Sequence, residues 1–98
     1  MKTPDECTNM DDIREAIDSL DNQIVKSIAS RANYVHAAAK FKKNEAAVKD
    51  ETRVQKVISS KKDLARKYGA SPELIGNIYT MMIDFFVNEE MTEWKNNK

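Results

Sequence analysis

Two glycines and two prolines are all that punctuate a chain of 98 residues. So few turn residues cannot supply the connections of an all-β fold, and a few long helices suit the composition better. Cys7 is the single cysteine, which excludes an intrachain disulfide and is consistent with the cytoplasm. With His36 as the single histidine, no His/Cys zinc site can be assembled within one protomer. Long apolar runs are missing too. Stretches such as Met81-Met82-Ile83 fall far short of a membrane span, and Met1 to Met10 lacks the apolar core of a signal peptide. Neither charge dominates: 16 basic and 16 acidic residues give a net charge of zero, with no basic face or tail. Nucleic acid and anionic membrane are therefore poor partners.

What remains is helical periodicity. Residues 1–8 read as an arm, and Thr8 with Asp11 fits a capping box that opens a helix. Ile13, Ile17, Leu20, Ile24 and Ile28 recur at helical spacing, and after Pro4 no glycine or proline interrupts until Gly69. The first helix is expected over roughly 9–43, about 50 Å at 1.5 Å per residue. A compact domain of about 100 residues has a radius of gyration of only about 13 Å, so this helix must project beyond its own core. A second copy of the chain is the simplest cover, which makes an intertwined homodimer the economical expectation. Residues 44–49 lose the rhythm and read as a loop. Asp50 caps a second helix that ends at Gly69, and Ser71-Pro72-Glu73 starts a third that runs to near residue 95. The expected fold class is all-α: one domain over 1–98, a three-helix protomer with a very long first helix.

Steps of three and four residues define a seam of Arg14, Ile17, Asp21, Ile24, Ile28, Arg31, Val35, Ala38 and Lys42. Most charges in the chain have an opposite charge at helical spacing: Arg14 has Asp11 and Asp18, Lys42 has Glu45, and Arg53 has Asp50. Arg31 has none, with Ser27, Ile28, Tyr34 and Val35 as its neighbours. Glu90 is the mirror case, on an apolar line of Ile83, Val87 and Trp94 with only the like charge of Glu93 at helical spacing. Burying an uncompensated charge costs several kcal/mol even after relaxation. Arg31 and Glu90 could pair with each other or sit at the edge and snorkel. Alternatively, cations from two crossing helices converge where an anion is expected. Arg14 and Lys42 lie about 42 Å apart along one straight helix, so only a second chain could bring them together. Guanidinium groups grip carboxylates in a bidentate fork, so such a pocket would take a small molecule with several carboxylates. No nucleophile–base motif, metal cluster or glycine-rich phosphate loop accompanies these residues. Any chemistry would rest on positioning and charge stabilisation.

DDIREAIDSLDNQIVKSIASRANYV, the following AAAKFK stretch and the ETRV at 51–54 together resemble the all-α chorismate mutase family, over almost the entire chain. Within it the likeness is nearest to the isochorismate-pyruvate lyase branch of salicylate and siderophore biosynthesis. MKTP with Cys7, FK at 41–42 followed by EAA, and the late aromatic-and-acid helix ending in Trp94 carry it. The resemblance implies an intertwined dimer with two equivalent sites and no cofactor. Arg14 would reach into the partner's site, and Arg31, Lys42 and Arg53 would match the family's other cations. Catalysis is expected from Arg31, Lys42 and Glu90. Arg14 and Arg53 are expected to bind substrate beside an apolar lining of Val35, Ala38, Val57, Phe86 and Val87.

The implied reaction is pericyclic: isochorismate loses pyruvate, with hydrogen transfer to the departing side chain, and leaves salicylate. A side chorismate mutase activity is common in such a pocket. Two positions depart from the family pattern. Val54 stands where mutases usually carry a glutamate for the substrate's ring hydroxyl, which favours the lyase. Glu90 stands where glutamine is commonest. An ionised glutamate accepts but does not donate, so Glu90 is expected to work protonated, with turnover rising toward acidic pH. The loop at 43–50 is expected to close over substrate and bring Lys42 in. Chorismate mutase activity and a non-catalytic helical dimer are the alternatives. Ordinary coiled coils place most charges beside the seam rather than on it, which counts against the last.

Overall fold

The computed structural model describes residues 1–98 apart from Lys43, Glu45, Ala46, Val48, Asn97 and Lys98, with the backbone alone at Trp94 and Asn96. Among the described residues the chain forms a short 3-10 turn, Pro4–Glu6, and three α-helices: α1 (Met10–Ala39), α2 (Glu51–Tyr68) and α3 (Pro72–Asn96). Among the described residues no helix is long and apolar enough to cross a membrane. The chain divides into two compact units, Met1–Tyr34 and Val35–Lys98.

The first unit is the arm and most of α1. The arm folds on itself, with the Thr3 N–H donating to Glu6 Oε1 at 2.9 Å. That bond and the Thr3 side chain hold the Glu6 carboxyl below its usual range. The cap of α1 lies one residue later than Thr8: the Asp12 N–H donates to Asn9 Oδ1 at 2.8 Å. The box closes through Asp12 rather than Asp11, for Asp12 Oδ2 accepts from the Thr8 N–H at 3.0 Å and the Thr8 hydroxyl at 3.2 Å. Asn9 wins because its side-chain carbonyl sits at the geometric N-cap, three residues before the amide it satisfies. Lys2 adds an ion pair to Asp12 at 3.2 Å, and the Asp12 carboxyl is held low, chiefly by the Thr8 N–H and then by Lys2.

Helix α1 buries no residue. Its apolar stripe of Ile13, Ile17, Leu20, Ile24 and Ile28 is exposed, with Ile17 at 50% and Ile24 at 55%. A single helix has no second layer to bury against, and each such side chain forgoes about 1.5–3 kcal/mol while it stays wet. Asp21 is exposed.

The end of α1 departs from the expected 9–43. The α-helix stops at Ala39, and the next turn changes its bonding: the Phe41 N–H donates to Ala38 O at 3.0 Å and the Lys42 N–H to Ala39 O at 3.1 Å. Such i→i+3 bonds tighten a terminal turn and take it off the α-helical register. Lys42 is therefore not the last member of the seam but the first residue beyond a tightened end.

In the second unit α2 and α3 pack together across a three-residue connection. Asp50 caps α2 by accepting the Arg53 N–H at 3.1 Å. Gly69 ends it at φ 74°, a left-handed conformation that glycine adopts without a Cβ penalty, and the Ala70 N–H closes onto Ala65 O at 2.8 Å. Ser71 Oγ then accepts the Leu74 N–H at 3.1 Å, with Pro72 as the first residue of α3. The two helices approach closely at Gly76, where a Cβ would stand 2.5 Å from Lys62 Cε. Ala65, Gly76, Glu90 and Met91 are the buried positions among the described residues. Three are apolar. The fourth is a carboxylate.

Candidate functional site

That carboxylate organises the second unit. Glu90 lies on the second turn from the end of α3 and is 4% exposed. Its line-mates Ile83 and Val87 are half-buried, as α3 turns this stripe inward; the Trp94 side chain lies outside the described residues. A buried carboxylate needs a partner. Lys42 supplies it, with Nζ 3.2 Å from Glu90 Oε2 and its own side chain 30% exposed. A lysine reaches such a position because its stem lies along apolar surface while the ammonium reaches the carboxylate. The tightened end of α1 sends Lys42 to Glu90; in helical register it would continue the seam.

A second contact lies beside the first. His36, in the last turn of α1, bonds through Nε2 to Glu89 Oε1. The same imidazole meets Phe86 edge-on, with centroids 6.0 Å apart and planes at 71°. Phe86 in turn meets Phe85 at 5.2 Å and 88°. The His36–Glu89 contact was missed from the sequence because the partners lie 53 positions apart and each looked like ordinary surface. One signal was available. Phe86, Glu89 and Glu90 are spaced i, i+3 and i+4, so one face of α3 carries a ring flanked by two acids.

Among the expected site residues, Lys42 and Glu90 meet directly. Phe86, Val87, Val35 and Val57 are half-buried in the same unit, whereas Ala38 and Arg53 are exposed. What Asp50 takes from Arg53 is its backbone N–H. Arg14 and Arg31 belong to the first unit. Arg14 is 3.9 Å from Asp11, with both side chains largely in solvent; Arg31 is half-buried and engaged in a contact. The expected Lys42–Glu45 pair and much of the loop expected to close, Lys43, Glu45, Ala46 and Val48, lie outside the described residues. Among the described residues no three His, Cys, Asp or Glu side chains are grouped to hold a metal ion.

The described residues form an all-helical frame, and comparison with known families gives its class. The family model for chorismate mutase type II matches residues 13–91, and the chain belongs to that family. The match takes in α1 from its second turn, α2 and α3 as far as Met91. The chain is also 35% identical over 95 residues to the isochorismate pyruvate lyase of Pseudomonas aeruginosa, covering 97% of this chain and 94% of that protein.

Proposed function

We propose that this protein is an isochorismate-pyruvate lyase that works as an intertwined homodimer in the cytoplasm. The observation that carries the substrate is the near-full-length identity with the Pseudomonas aeruginosa lyase. Val54, half-buried at the start of α2 and unable to hold a ring hydroxyl, favours the lyase over the mutase. Chorismate mutase activity is the second reading, and the family match favours keeping it as a side reaction.

In the reaction proposed, the bond between the ring carbon and the enol ether oxygen breaks as a ring hydrogen moves to the methylene terminus of the side chain. The side chain departs as pyruvate, and the ring becomes aromatic as salicylate. Atoms balance without water, oxidant or cofactor. Negative charge builds on the departing oxygen if C–O cleavage runs ahead of hydrogen transfer, and a fixed cation there lowers the barrier. Lys42 is the group we assign to that oxygen. Arg31, with Arg14 and Arg53, binds the two carboxylates, Arg14 coming from the second chain. Val35, Ala38, Val57, Phe86 and Val87 line the pocket and exclude water, which strengthens each charge contact. Residues 1–98 act together as one catalytic domain.

Glu90 has two settings in this scheme. Without substrate it holds Lys42. With substrate bound, Lys42 turns to the ligand, and the Glu90 side chain is left facing the pocket. The exposed stripe of α1 supports the dimer, since a second copy offers the same stripe in return. Incubation with isochorismate, followed by salicylate fluorescence, and with chorismate, followed by prephenate, tests the assignment. Salicylate formed faster than prephenate is expected. Prephenate alone would reassign the protein as a mutase, and neither product would leave a non-catalytic dimer.

A further inference from the structure

We infer that His36 and Glu89 are positioning residues for Lys42. Three observations converge on this. First, His36 and Lys42 flank the end of α1, and the chain between them is held by the Phe41 and Lys42 amides bonding back to Ala38 and Ala39. A fix at His36 is thus transmitted to Lys42 through hydrogen-bonded backbone rather than through slack chain. Second, the partners Glu89 and Glu90 are adjacent on one helix, so α3 grips the end of α1 at two points. One contact leaves an element free to pivot; two fix its orientation. Third, His36 is held on two sides, by the Glu89 carboxylate and by the Phe86 ring, with the His36 and Glu89 side chains 43% and 36% exposed.

The Lys42 side chain is restrained through its ion pair with Glu90. Its ammonium rides on a flexible four-carbon stem and its side chain is 30% exposed. Released from the clamp, the end of α1 would let Lys42 spend more of its time in water, away from Glu90 and from the place where a substrate oxygen would sit. A misplacement of about 1 Å can cost on the order of a hundredfold in rate. His36 and Glu89 touch neither the reacting atoms nor Lys42, and act only through where they hold the chain.

The turnover half of the test rests on the lyase assignment proposed above; the other half does not. His36→Ala and Glu89→Ala are each expected to lower kcat/KM for isochorismate about tenfold, mainly through kcat, because the cation at the breaking bond is displaced while the carboxylate-binding arginines stay. The double variant should be no worse than either single one, since both break the same contact. His36→Lys, which keeps a donor for Glu89, should recover activity to within about twofold of the parent. Independently of any substrate, acetylation of Lys42 by a water-soluble succinimidyl ester, followed by peptide mass spectrometry, should be several-fold faster in His36→Ala and Glu89→Ala and normal in His36→Lys. Unchanged Lys42 acetylation in both alanine variants would overturn the proposal, whatever the enzyme turns over. So would a His36→Lys protein that behaves as His36→Ala, or losses that merely follow a fall in melting temperature. Faster acetylation in a protein without lyase activity would leave the clamp standing and fault the substrate assignment instead.

Discussion

In Met1–Tyr34 the carboxylates in contact, Glu6, Asp11 and Asp12, bond to groups in the arm and the first turns of α1. In Val35–Lys98 Asp50 and Asp63 are equally local, but Glu89 and Glu90 reach far along the chain, and Glu90 is 4% exposed and matched to a lysine 48 positions away. The contrast extends to the apolar residues. The first unit leaves its isoleucines in water, whereas the second turns Met91, Ala65 and the Glu90 stripe inward. One region has apolar surface without a partner, and the other has a charge in an apolar place with one. The first arrangement calls for another chain, and the second for a ligand that can take the partner over.

Breaking the first half of this contrast should have the largest effect. Ile17→Glu with Ile24→Glu changes two exposed seam residues to a good helix former, so a solvated α1 would tolerate it. In the proposed dimer each new carboxylate would be buried without a cation, at a cost of several kcal/mol apiece. The parent is expected to run at the mass of two chains in light scattering and the variant at one, with turnover lost. A parent already at the mass of one chain would leave the stripe unexplained and sink the dimer.

Lys42→Ala tests the second half and should come next. It removes the assigned transition-state cation, for which a loss of about 10²–10³ in kcat is expected. It also strands Glu90, nearly buried, without its partner. Breaking a fully buried pair costs about 3–5 kcal/mol, and the partial exposure of Lys42 reduces this to about 1–3 kcal/mol. Denaturant melts and salicylate kinetics read the two effects separately. A variant as active as the parent would remove Lys42 from the site.

Glu90→Gln sharpens the same contact with a smaller change. The amide keeps the shape, accepts from Lys42 through its oxygen and donates to substrate through its nitrogen at any pH. Turnover in the variant is expected at or above that of the parent, because the amide holds Lys42 and adds a donor for the substrate. A fall in turnover would mean that Glu90 matters chiefly as the charge that holds Lys42.

The sequence reading was strongest where the chemistry is local. Asp50, Gly69 and Ser71-Pro72 mark their helix ends by side-chain and backbone rules that act within a few residues, and all three do so in the structure. Family membership was legible for a related reason, since charge spacing along a long helix is itself a sequence pattern. Two local details shifted by physics too fine for the pattern. Asn9 caps α1 in place of Thr8, and the seam's periodicity runs on to Lys42 although the bonding changes at Ala39. Glu90 could be named as a misplaced charge, but its partner could not be chosen. Arg31 was the partner considered, and the tightened end of α1 that directs Lys42 to Glu90 is not a periodic signal. His36 with Glu89 was out of reach for the same reason in stronger form.

The smallest effect belongs to Asp12, which tests whether the charges of the first unit are as local as they look. The fold holds its carboxyl below the usual range, the Thr8 N–H first among the causes and Lys2 after it. A carboxyl held low in the folded state contributes stability that is present above the unfolded value of about 3.9 and is lost as pH falls through the lower folded value. The Thr8 amide resonance should therefore shift with a midpoint below that ordinary value. Lys2→Ala should raise the midpoint only slightly, because the backbone donor remains. Asp12→Asn should abolish the transition and leave turnover near that of the parent. If Lys2→Ala instead restored the ordinary midpoint, the arm's lysine rather than the helix's own first turn would be what holds Asp12, and the charges of the first unit would be less local than their geometry implies.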